Sequence, residues 1–219
     1  MPLFEVRRAN GAGFANGTAP AAMLNTLGQI VTCDFYTSAI LDGRGYQVRL
    51  GTITTPVTGD VAITDAAAEM CADAAAGTTL MPFSAGLTLY TKGGDAFEAA
   101  GKSVATVSSG GTAFTPLPLR SGGTAAVSTA RAQAAGNVVV TAELATTTLR
   151  HFEWGEEFVQ DAGTEGWMPG NPFVWEPKAA PVLVGARCFY VQVASATGGP
   201  GYMAHFDYLE FPTLLVVPS

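Results

Sequence analysis

His151 and Glu153, and again His205 and Asp207, repeat one pattern of histidine, phenylalanine and acid, and between them they use both histidines of the chain. Residues two apart on a β-strand share a face, so each pair would present an imidazole beside a carboxylate. If the two strands were neighbours, two imidazoles and two carboxylates would converge on a single divalent ion. The other faces would carry Phe152 with Trp154 and Phe206 with Tyr208, which is also the inside-outside pattern of a half-buried sheet. Histidine-x-acid is short enough to recur by chance, and the chain lacks the His-x-His of cupin metal sites. The preferred reading turns Phe152 and Trp154 inward and His151 and Glu153 outward, ends the strand at Gly155, and expects no cofactor.

Other chemistries have weaker support. Glu153, Glu156 and Glu157 supply carboxylates for acid/base cleavage of a glycoside, but any acidic surface offers such a pair. Gly101-Lys102-Ser103 matches the end of a phosphate-binding loop. The first glycine of that motif is replaced by Ala96, however, and a strand-like stretch follows where a helix is required. No GxSxG occurs, so a serine hydrolase has no local support. Trp167, Phe173 and Trp175 lie close together in sequence and could offer flat faces to a sugar. Aromatic rings also serve to anchor loops and fill interfaces.

Composition narrows the classes further. Charged residues are 13% of the chain, against roughly 25% in ordinary soluble domains, and the mean hydropathy is +0.26. A surface so poor in charge suits a protein covered by neighbouring subunits. The net charge of −7 and the absence of a basic cluster beyond Arg7-Arg8 argue against nucleic acid as a partner. No apolar run reaches membrane-spanning length and no signal-peptide pattern opens the sequence, so synthesis and assembly in a cytoplasm are expected. Cys33, Cys71 and Cys188 are far apart without metal-ligand spacing, and read as small buried apolar residues in a reducing compartment.

The elements that must position these residues are strands. Alternation marks 3–8 and 45–53. Residues 28–37, 60–64, 79–91, 102–108, 136–154 (with a break), 181–195 and 201–211 are further candidates, separated by turns such as Asp42-Gly43 and Ser121-Gly122-Gly123. The Ala-rich runs 66–76 and 125–136 have helix-forming composition without an apolar stripe, and one of them is expected to form a short crossover helix. Residues 155–181 are too rich in Pro and Gly for a sheet interior and read as one long aromatic surface loop. The expectation is an all-β, jelly-roll-like β-sandwich over 21–219, preceded by an extended N-terminal arm over 1–20 that orders on a neighbour.

Residues 51–95, "GTITTPVTGDVAITDAAAEMCADAAAGTTLMPFSAGLTLYTKGGD", and 181–212, "PVLVGARCFYVQVASATGGPGYMAHFDYLEFP", together resemble uncharacterised virion structural proteins of tailed bacteriophages. That resemblance implies a jelly roll or related sandwich that oligomerises, often as a trimer, and decorates a capsid or joins a tail or spike. It carries over no catalytic residues. The leading expectation is therefore a non-enzymatic capsid decoration (cement) protein, a homo-oligomer bound to the major capsid protein or another virion protein. The alternative is a tail-fibre or spike module that binds host-surface glycans through Trp167, Phe173 and Trp175.

Overall fold

Alternation organises the last strand. In β15 (Gly201–Pro212), Tyr202, Ala204, Phe206 and Tyr208 enter the main core, while Met203, His205 and Asp207 face the other way and are half-buried. The computed structural model describes residues 34–63, 67–91, 96–133, 138–140, 148–156, 172–196 and 198–213. The expected arm over 1–20, the expected strand over 3–8, and most of the long loop, Trp167 included, lie outside the described residues.

In chain order the elements are α1 (Phe35–Leu41), β1 (Gly45–Leu50), β2 (Val57–Thr58), β3 (Met70–Asp73), β4 (Thr78–Thr91), β5 (Phe97–Val104), β6 (Ser109–Gly110), β7 (Thr112–Phe114) and β8 (Leu117–Pro118). They continue with β9 (Thr129–Ala132), β10 (Val138–Val139), β11 (Leu149–Glu156), β12 (Phe173–Trp175), β13 (Leu183–Val184), β14 (Cys188–Ser195) and β15. One sheet runs β12-β4-β15-β1-β8, with β13 against β4 and β2 against β15, and the other runs β11-β5-β14-β3-β9-β7. Their inner faces share a core that includes Val48, Met70, Leu80, Phe97, Phe189 and Phe206. The fold is thus an all-β sandwich.

Its connectivity is that of a jelly roll. With β1, β3, β4, β5, β11, β12, β14 and β15 taken as the eight principal strands, one sheet orders them first-eighth-third-sixth and the other second-seventh-fourth-fifth. The excursion between β5 and β11 adds β8 beside β1 and β9 with β7 beside β3, so it lengthens both sheets on the same side.

Each sheet is also partly covered on its outer face. On the seven-stranded sheet, α1 packs over Leu209 and Phe211, with Ala39 fully buried. Its first turn is capped by Asp34, whose Oδ1 accepts the Thr37 amide at 2.9 Å. On the six-stranded sheet, Val138 and Val140 join Ala68, Cys71, Val104, Cys188 and Tyr190 in a second apolar cluster. Every residue of β14 is consequently buried, and a strand enclosed on both faces shows the nearly continuous apolar run "CFYVQVAS".

Several expected elements are corrected. Residues 35–37, read as the end of a strand, begin α1. Residues 60–63 form only an isolated bridge from Asp60 to Ala194. Both Ala-rich runs supply strands rather than a helix, β3 and β9, whose Ala72, Ala130 and Ala132 are small enough to fit a crowded interior. The Pro-rich segment contributes β12 at the edge of its sheet, the place where flanking prolines do not interrupt a ladder.

Candidate functional site

The two His-x-acid pairs do not meet. β11 is the edge of the six-stranded sheet and β15 runs through the middle of the other, so the strand pairing a shared ion requires is absent. Nor does His151 face outward as expected. The β11-β5 register shifts between Arg150 and Phe152, a bulge that leaves His151 unpaired and turns it to the same side as Phe152. Its Nε2 lies 2.8 Å from Ser103 Oγ, and its ring stands 5.8 Å from that of Phe189 and 6.3 Å from that of Trp175. Burial pushes its pKa down, favouring the neutral imidazole. Glu153 does face solvent, paired with Arg150.

His205 and Asp207 share the outer face of the seven-stranded sheet, opposite Arg49 and Gln47 of β1. Asp207 Oδ1 accepts a hydrogen bond from Gln47 Nε2 at 2.9 Å, and burial raises its carboxyl pKa. The His205 ring lies over Gly86, where a side chain would collide with it. Arg49, Thr88, Val174, Met203 and His205 line an open depression of about 340 Å³ there.

Phe173 and Trp175 close the open side of the sandwich. Trp154 stacks on Phe173 at 5.1 Å and 10°, and Trp175 stacks on Phe189 at 6.0 Å and 17°. Phe152 contacts both Phe173 and Trp175. Strands β11 and β12 belong to different sheets, so these rings knit the two edges together and their faces are occupied by each other. Between them only Val174 is exposed.

Gly101, Lys102 and Ser103 sit in the middle of β5, not in a loop before a helix. The Ser103–His151 contact has the form of a nucleophile and base, but Ser103 is 3% exposed and its partner is packed among aromatic rings.

Among the buried polar clusters that sequence reasoning missed, two lie beside β3. In the first, Glu69 is 1% exposed, with Oε2 accepting the Val193 amide at 3.0 Å and Oε1 the Asp60 amide at 3.3 Å. Burial pushes its pKa up to about 8, and burial with the adjacent Glu69 raises that of Tyr202. In the second, Asp73 accepts the Ser108 amide at 2.8 Å and the Ser108 hydroxyl at 2.6 Å, and Ser108 Oγ is 3.0 Å from Cys71 Sγ. Cys188 completes this group, and burial, with its neighbours Cys71 and Asp73, pushes its thiol pKa well up. The one local signal was Cys71-x-Asp73, two residues apart on one face of a strand, inside a run whose alanines suggested helix. No known protein family, curated protein or solved structure matches this chain.

Proposed function

We propose that the chain is a structural component of a phage particle, a capsid decoration (cement) protein that seats on the shell as an oligomer. The observation that carries this reading is the contrast between interior and exterior. The chemistry-bearing side chains described above are largely turned inward or bonded to one another. The exterior of a chain only 13% charged displays Ile53, Val61, Tyr90, Val127 and Leu149, each more than three-fifths exposed. With so little charge to keep copies of the chain apart, an exterior of this kind suits a protein whose working surface is a neighbouring subunit. A cement protein acts by mass action: by binding assembled subunits and not free ones it stabilises the lattice, and an oligomer multiplies weak contacts.

The test is occupancy. Purified chain added to undecorated particles of the virus that encodes it should co-sediment with them, and an Ile53→Asp/Val61→Asp/Val127→Asp triple variant should bind at least ~10-fold more weakly while keeping its far-UV spectrum. A wild-type chain that stays in the supernatant at every particle concentration would remove the cement role. Size-exclusion chromatography with light scattering checks the expected homotrimer.

A further inference from the structure

Cys71, Asp73 and Cys188 hold two sulfurs and a carboxylate oxygen within 4.8 Å of one another, all buried. The backbone explains why. Cys71 and Asp73, two apart on β3, share its outer face, and Cys188 stands directly opposite Asp73 on β14. Ser108, from the turn after β5, brings a hydroxyl 3.0 Å from Cys71 Sγ and 2.6 Å from Asp73 Oδ2. Arg131, opposite Cys71 on β9, places Nε 3.6 Å from Asp73 Oδ2.

We propose that Cys71, Cys188, Asp73 and Ser108 form a structural zinc site on the outer side of the six-stranded sheet. Two thiolates with an oxygen donor are the ligand chemistry of zinc. Zinc–sulfur bonds of about 2.3 Å and zinc–oxygen bonds of about 2.0 Å put the donors of a tetrahedron roughly 3.3–3.8 Å apart. Ser108 Oγ lies 2.6 Å from Asp73 Oδ2 and 3.0 Å from Cys71 Sγ, and the two sulfurs and the carboxylate lie within 4.8 Å of one another, so the donors would have to shift by up to about 1 Å to reach that range.

Charge balances on binding. Two thiolates and a carboxylate are offset by the divalent ion together with the Arg131 guanidinium, so no net charge is buried. Binding breaks two S–H bonds, releases two protons to solvent and forms two Zn–S bonds, with no change of oxidation state. The Ser108 amide, 2.8 Å from Asp73 Oδ1, holds the carboxylate in place, as outer partners do at metal sites. With all four donors drawn from the protein and no open position, the ion's work is to tie β3, β14 and the turn at Ser108 together.

The deciding measurement is the metal content of the whole chain produced in zinc-supplemented medium and exchanged into metal-free buffer. About one zinc per chain is expected, with a thiolate-to-metal charge-transfer band when cadmium replaces it. Cys71→Ser and Cys188→Ser should each lose the metal, Cys33→Ser should keep it, and Arg131→Gln should weaken binding by ~10-fold. Wild-type protein without stoichiometric zinc or the cadmium band overturns the proposal, as does a Cys71–Cys188 disulfide or zinc that survives Cys71→Ser. If the serine variants fail to fold, the wild-type metal content and cadmium spectrum still decide.

Discussion

The Phe152 ring occupies the space that a side chain at Gly101 would need: a methyl group built there would overlap it. The two residues are cross-strand partners next to the bulge at His151. Gly101→Ala must therefore expel the ring or part β5 from β11, and should cost ~1–3 kcal/mol, as overpacking does. Phe152→Ala should also destabilise, and the double variant should lose less than the sum, because both changes act on one space. Urea midpoints of the three variants check this.

Glu69 gives stability a dependence on pH. Its carboxyl titrates near 4.5 when unperturbed and at about 8 in the folded chain. Between those values the folded state holds a proton that the unfolded state has lost. The contribution is therefore full below about pH 4.5, declines as pH rises, and is gone above about pH 8, for a total on the order of a few kcal/mol. Glu69→Gln should flatten that slope. Chemical denaturation repeated from pH 5 to 9 for both proteins measures it, and parallel curves would show that Glu69 ionises normally.

Glu210 ties the excursion to the last strand. Its Oε1 and Oε2 each accept a backbone amide at 2.9 Å, from Val127 and Ser128, and Ser128 Oγ is 2.6 Å from Tyr208 Oη. Glu210→Ala leaves the buried Ser128 amide without its acceptor and should cost ~1–3 kcal/mol. Glu210→Gln keeps one acceptor and should cost less. Amide hydrogen exchange at Ser128 should quicken in the alanine variant.

Deleting residues 2–18 tests the expected arm. Particle occupancy should fall while the thermal transition stays in place. Undiminished binding would assign the contact to the sandwich alone.

Two of the long strands were legible because burial shaped their sequence: β15 alternates from Tyr202 to Tyr208, and the apolar run of β14 reflects enclosure on both faces. α1 was not legible: "FYTSAIL" has the β-branched and aromatic content of a strand, and its helicity rests on the Asp34 cap and on packing over Leu209 and Phe211. The site reading failed at His151 because one extra residue in β11 reverses the face, and alternation cannot register a bulge. The cluster around Asp73 was hidden for a different reason. Its members come from positions 71, 73, 108 and 188: the pairing of β3 with β14 brings in Cys188, and the turn after β5 brings in Ser108.

β1 pairs along its whole length with β15, more than 150 positions further on. Because β15 is the central partner of both β1 and β4, a ribosome must deliver nearly all of the described chain before that sheet can zip. Until then β1 and β4 are nascent strands with open edges, and their long-range closure makes folding slow. Production of this protein should therefore be limited by the interval between translation of β4 and β15, and lower growth temperature or chaperone supply should raise the yield of native chain more than a stronger promoter would.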